Sequence, residues 1–305
     1  MRNKQINSEE VEMSNYSDYL KQIDNEFWLI EGETTNLDIF YKIKEIIFSE
    51  QSQYQHIMIL DSYDFGRMLV LDRAIQTTAR DGFIYNEMIS HIPMNIHPTP
   101  KRVLIIGGGD CGTAREVAKY SHVEQIDMVE IDGMVVKVCL EHLSEVSGNL
   151  SDPRVNFIFQ DGIKFVENIT NPKDFYDVII VDSSDPVGPA VPLFGLDFYK
   201  SLYNILKNDG LMVCQSDSPI FHFETMKQTY KRLCSLFPIT RPYTTVVPTY
   251  PGGMWSFTLA SKKYRDTNPS QFDKENKNTK YVNSEILKQC FSLPEFVRSR
   301  LMDSN

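Results

Sequence analysis

The stretch Val103-Leu104-Ile105-Ile106-Gly107-Gly108-Gly109-Asp110-Cys111-Gly112 reads as a buried strand that breaks into a glycine turn. Glycines at such a turn let the backbone bend sharply and approach a ligand, and a helix is expected from about Thr113. The same rhythm continues outward. Gln125–Glu130 is the next strand, followed by a helix near Met134 to Leu143. Val155–Phe159 is the third strand, and the apolar run Tyr176–Val181 holds the fourth. A helix around Phe198 to Leu206 leads to Gly210–Gln215. Regular βα alternation over residues 101–260 predicts an α/β protein with a doubly wound parallel sheet.

Upstream the texture differs. Phe27–Ile30, His56–Leu60 and Arg67–Leu71 read as short strands, with turn chemistry at Asp61–Gly66, and predict a small antiparallel sheet. Phe83–Ile96 has helical apolar spacing at Ile84, Met88, Ile89 and Ile92. The expected organisation is a polar extension over 1–26, a small β-domain over 27–82 and the α/β domain with its C-terminal extension over 83–305. Residues 262–285, polar and lysine-rich, read as a surface excursion.

The 305 residues are 42% hydrophobic and 24% charged, the balance of an ordinary globular protein. A net charge of −10 disfavours non-specific nucleic-acid binding, which rests on neutralising phosphates. No apolar leader or run of about 20 apolar residues is present, so a cytoplasmic protein without a membrane partner is expected. The five cysteines are scattered without a C-x-x-C pair, and the six histidines show no ligand spacing. That predicts a reduced compartment and no metal.

The chemistry gathers at strand ends, where open parallel sheets bind ligands. Asp182 and Asp185 appear where the fourth strand gives way to a Pro/Gly loop, and suit a cation or a group that must lose a proton. Glu130 lies about twenty residues after Asp110, the spacing at which an acid binds a ribose hydroxyl pair. Asp161-Gly162 ends the third strand, where an adenine edge would sit. Each acid alone also reads as a helix cap. Together they indicate an adenosine-type ligand. A dinucleotide is disfavoured, because Asp110 would face its pyrophosphate with the wrong sign. A carboxylate at that turn repels a ligand carboxylate but pairs with an ammonium, which favours an adenosyl ligand ending in a free amine.

The motifs G-G-G-D-x-G, V-E-I-D, D-P-R-V…D-G, V-D-S-S-D-P-V-G-P and P-T-Y-P-G-G resemble the polyamine aminopropyltransferase family, of the spermidine synthase type. The resemblance spans roughly residues 27 to 262. It implies a Rossmann-like, methyltransferase-type fold behind a small N-terminal β-domain, assembled as a homodimer or homotetramer. It implies decarboxylated S-adenosylmethionine as co-substrate with no further cofactor, an amine acceptor such as putrescine, and methylthioadenosine as by-product. Carried over, Asp182 is the proton acceptor and Asp185 helps hold the amine. Glu130 takes the ribose, Asp161 and Gly162 the adenine, and Asp110 the aminopropyl ammonium. Gly107 and Gly109 form the donor turn, Gln55 contacts the donor, and Pro189 lies over the adenosyl group. Tyr85, Tyr250, Gln215 and Trp28 are placed around the acceptor. Asn86 stands where members carry Gln or His. A sulfonium is an activated leaving group, so the task left to the protein is to align the amine and take its proton.

The departures fall on the acceptor side. Ala79 and Gly82 stand where the family usually has glutamates, and Val191 where it often has a third. Asp217 is shorter than the Glu of bacterial members, and Cys111 replaces a glycine. Thinned acids predict either an acceptor other than plain putrescine, with a less cationic or bulkier far end, or neutral drift. A methyltransferase using intact S-adenosylmethionine is a rival that Asp110 argues against. A non-catalytic adenosyl-binding protein is another, against which Asp182, Asp185 and Tyr85 together argue.

Overall fold

A computed structural model describes residues 19–302. The expected polar extension falls mostly before that range, outside the described residues. It ends earlier than composition suggests, because β1 (Leu20–Ile23) already pairs with the next strand. Six antiparallel strands in sequential order make the first sheet: β1, β2 (Glu26–Thr34), β3 (Leu37–Gln51), β4 (His56–Ser62), β5 (Gly66–Leu71) and β6 (Ala74–Thr78). One face of this sheet, with Leu29, Met58, Leu60 and Met68, forms its own core. The other, through Ile57, Ile59 and Leu69, packs on a helix of the second layer described below.

After α1 (Gly82–Ile96) come β7 (Arg102–Gly107), α2 (Gly112–Ala118), β8 (Gln125–Glu130), α3 (Gly133–His142), α4 (Ser144–Ser147), β9 (Val155–Phe159), α5 (Gly162–Glu167) and β10 (Tyr176–Asp182). α6 (Leu196–Ile205), β11 (Leu206–Gln215), α7 (Phe223–Cys234), β12 (Ile239–Val246) and β13 (Met254–Ser261) complete the sheet. α8 (Pro269–Glu275), α9 (Ser284–Gln289) and α10 (Glu295–Met302) follow. The strand order is β12-β13-β11-β10-β7-β8-β9. β7 through β11 are parallel, but β13 runs antiparallel to both its neighbours. The link from β12 to β13 is the tight Pro248–Gly253 turn, too short for the helical crossover a parallel partner needs. The sheet is therefore mixed at this edge, while the doubly wound Rossmann-like plan holds.

Successive residues of the central strands serve opposite faces. Val103 and Ile105 pack with α1 and α2, whereas Leu104 and Ile106 pack with α6. The helix of the second layer that receives the first sheet is α3, through Val135, Val138 and Cys139. The segment 262–285 runs over the surface and is anchored to α1 and the core. Phe272 of α8 is buried, and the buried Glu87 carboxylate of α1 accepts the backbone N–H groups of Lys280, Tyr281 and Val282 at 2.7–2.8 Å. Its polar composition conceals these anchors.

Candidate active site

Chain order reverses between β7 and β10, so the glycine turn after β7 and Asp182 at the end of β10 flank the crevice at this switch point. Gly107 and Gly108 have φ of +84° and +73°, and a Cβ at Gly107 would collide with the Asp182 carbonyl. Only glycine lets the turn lie this close. Cys111 takes φ +66° at the start of α2, the conformation a glycine would adopt freely. Cys111 is fully buried, and burial pushes its thiol well above the usual range, which argues against a reactive-thiol role.

A cleft of about 690 Å³ opens here between the two sheets. Gln55, Tyr85, Gly107, Gly109, Asp110, Glu130, Asp161, Gly162, Asp182, Asp185, Gln215 and Tyr250 all line it, so most residues singled out from the sequence converge. Asn86 and Trp28 are not in its lining. Asn86 lies against Gly112, beneath the turn. β2 alternates its side chains, so presenting Glu31 and Glu33 to the cleft turns Trp28 to the opposite face. The side chain of Pro189 lies outside what the structure describes.

Asp182 accepts from the Tyr85 hydroxyl at Oδ1 (2.8 Å) and from Thr113 Oγ1 at Oδ2 (2.6 Å). Burial raises its pKa while these two donors oppose the rise. Asp110 accepts from the Gly112 N–H, and burial together with the nearby Asp182 charge pushes it up to about 7. Glu130 accepts from the Asp132 N–H and is raised to about 7, chiefly by burial. Asp161 caps α5 through the Ile163 N–H. Gln55 Nε2 donates to Asp132, fixing its amide at the cleft wall.

Three further acids, Glu31, Glu33 and Asp217, were not among the site residues expected from the sequence and join Asp185 in a second group. Glu31 and Glu33 of β2 meet Asp185 and Asp217 in the same cleft. Burial lifts Glu31 to about 8, Asp185 to about 6 and Asp217 to about 7, and their mutual repulsion adds to each. One Glu31 oxygen accepts from the Ile75 N–H, while Oε2 is buried without a partner. Gln215 Nε2 reaches Asp185 Oδ1 at 3.3 Å. Trp255 adds an aromatic wall, edge-on to Tyr250 at 4.6 Å between centroids. Ala79, Gly82 and Val191 do not line the cleft. A side chain at Gly82 would strike Thr77, and Val191 is exposed. The acids on this side of the cleft come from β2, from the loop after β10 and from the end of β11, and not from positions 79, 82 and 191. Among the described residues no group of three His, Cys, Asp or Glu is set to hold a metal ion, and no helix is long and apolar enough to cross a membrane.

These raised carboxylates have a measurable consequence. Each folded pKa lies above its unfolded value near 4, so the folded protein holds more protons than the unfolded chain, and stability falls as pH rises through the folded values. His56, His97 and His122 are lowered and act in the opposite sense, but below about 6.5. Between pH 6.5 and 8.5 the ligand-free protein is expected to lose stability, read as a falling urea midpoint. A midpoint that climbs across that range would contradict the charge assignment.

A family model described as "Spermine/spermidine synthase domain" matches residues 82–271, and one described as "Spermidine synthase tetramerisation domain" matches residues 27–79. A polyamine aminopropyltransferase of Clostridium kluyveri is 47% identical over 272 residues, covering 89% of this chain and 98% of its own. Another, from Caldicellulosiruptor bescii, is 47% identical over 274 residues, covering 90% and 97%. Among solved structures, a spermidine synthase in complex with the transition state analogue AdoDATO aligns with TM-score 0.85 at 40% identity, covering 90% of this chain and 94% of that one. The spermidine synthase from Thermotoga maritima aligns with TM-score 0.84 at 39% identity, covering 90% and 93%.

Proposed function

The chain belongs to the spermine/spermidine synthase family, and from that premise we propose that its acceptor is a linear diamine of the putrescine class, held between two groups of carboxylates. The enzyme is an aminopropyltransferase. It moves the aminopropyl group of its co-substrate, decarboxylated S-adenosylmethionine, to an amine and releases methylthioadenosine.

The observation that carries the diamine reading is the second acidic group: Glu31, Glu33, Asp185 and Asp217, in the cleft that also holds Asp110 and Asp182. A molecule with one ammonium would leave one group unpaired, and burying like charges without a counterion is costly. The unpartnered Glu31 oxygen supports the same reading. On the donor side, Glu130 holds the ribose, Asp161 and Gly162 the adenine, Gln55 and the Gly107–Gly109 turn the adenosyl group, and Asp110 the aminopropyl ammonium. An intact S-adenosylmethionine carboxylate would lie against Asp110.

An amine with a pKa near 10.4 arrives protonated. Asp182, whose charged form the Tyr85 and Thr113 hydroxyls favour against burial, accepts that proton as the nitrogen attacks the methylene next to sulfur. Asp185 and Gln215 orient the amine, and Tyr85, Tyr250 and Trp255 wall it, with cation–π contacts of roughly 0.5–2 kcal/mol each. The match of residues 27–79 to a tetramerisation domain supports a homo-oligomer, dimer or tetramer.

Turnover with 1,4-diaminobutane, agmatine, spermidine and butylamine tests the acceptor. The diamine is expected to lead. Butylamine, which leaves the far acids unpaired, is expected to lose at least about 30-fold in kcat/KM, the equivalent of ~2 kcal/mol. Equal use of butylamine would sink the two-group reading.

A further inference from the structure

His222 immediately precedes α7, and its Nε2 lies 2.9 Å from Glu33 Oε1 on β2. The two residues are 189 positions apart and belong to different sheets' layers, so their contact bridges the cleft rather than bracing one wall. Both line the cleft. The imidazole is 41% exposed and the carboxylate 14%, which sets the pair between the interior and solvent. The acids that His222 influences are Asp185 and Asp217, and Glu33 acts on these and on Glu31. The bridge thus stands among the second acidic group.

We propose that the His222–Glu33 bridge is the length stop of the acceptor site and so a specificity determinant. The inference rests on the reading above, in which the amine reacts at Asp182 and its far end meets the second group. A diamine's far ammonium fits inside the bridge and pairs with Asp217 and Glu31, beyond the Asp185 that holds the attacking amine. A triamine must extend further, which requires breaking the contact and passing the imidazole. Rejection thus uses an obstruction, a common way of separating similar ligands.

The test compares kcat/KM for spermidine and for 1,4-diaminobutane in the full-length enzyme, at saturating donor. In His222→Ala the triamine-to-diamine ratio is expected to rise at least about tenfold, through a lower triamine KM. His222→Gln keeps a side chain able to donate to Glu33 and is expected to hold the ratio near the wild-type value. An alanine ratio within twofold of wild type overturns the proposal, as does a glutamine variant that opens the site as far as alanine. His222 is half-exposed at a helix start, and circular dichroism confirms folding of each variant. Failure of the diamine reading is separately visible, because the wild-type enzyme itself would then fail to favour the diamine.

Discussion

Asp182→Asn is expected to lower kcat by about 10²–10⁴-fold, the usual contribution of a positioned general base. The substitution is nearly isosteric, so the two donors around the carboxylate keep a partner each. The Tyr85 hydroxyl can still donate to the amide oxygen, and the Thr113 hydroxyl can rotate to accept from the amide nitrogen. What disappears is the ability to take a proton. Removing the Asp182 charge also removes one of the influences that raise Asp110, so Asp110 becomes more readily anionic. Donor binding is therefore expected to survive while chemistry fails. Single-turnover release of methylthioadenosine, alongside calorimetric donor binding, separates the two. A variant that turns over within threefold of wild type would refute the assigned base.

Glu87→Ala is expected to cost about 3–5 kcal/mol of folding stability. The buried carboxylate accepts three backbone N–H groups of the segment that follows α8, and hydrogen bonds to a charged acceptor are worth roughly 1.5–3 kcal/mol each. Alanine leaves those donors without a partner unless the segment lifts away. Lifting would expose Val282 and Leu287, which pack with α1 in the main core. Tyr85 lies two residues before Glu87 on the same helix, so loosening this anchor also loosens the Tyr85 hydrogen bond to Asp182. Thermal unfolding is expected to show a fall on the order of 10 °C. Glu87→Gln, which keeps an acceptor, is expected to fall less. A melting temperature within about 2 °C of wild type for the alanine variant would show that the segment does not depend on Glu87.

What the sequence displays well is what neighbours in the chain decide. The glycine turn, the acids at the ends of β7 to β10 and the apolar period of α1 are local patterns, and the parallel sheet then brings them together. β3 is harder to see. It is 15 residues long, but its pairing slips near Ile43 and again near Ile46, and each slip inverts the alternation that betrays a strand. Glu31, Glu33 and His222 are harder still, because their meaning depends on two distant elements facing one another across a cleft. Trp28 shows the converse: an aromatic in the right strand but on the wrong face. Ala79, Gly82 and Val191 show how a missing acid misleads when the position does not reach the site. Thr113 had no signal beyond opening a helix, and its role is visible only once β10 brings Asp182 beside it.

The carboxylates that crowd the strand ends also bear on the close of each catalytic cycle. The donor enters with a positive sulfur and a positive amine, and the nucleoside by-product has neither. On the proposed roles, Asp182 carries a proton after transfer, while the aminopropyl ammonium stays beside Asp110 as part of the polyamine product. The attraction that favoured entry is thus abolished for the nucleoside alone, while the polyamine product keeps its hold on the carboxylates.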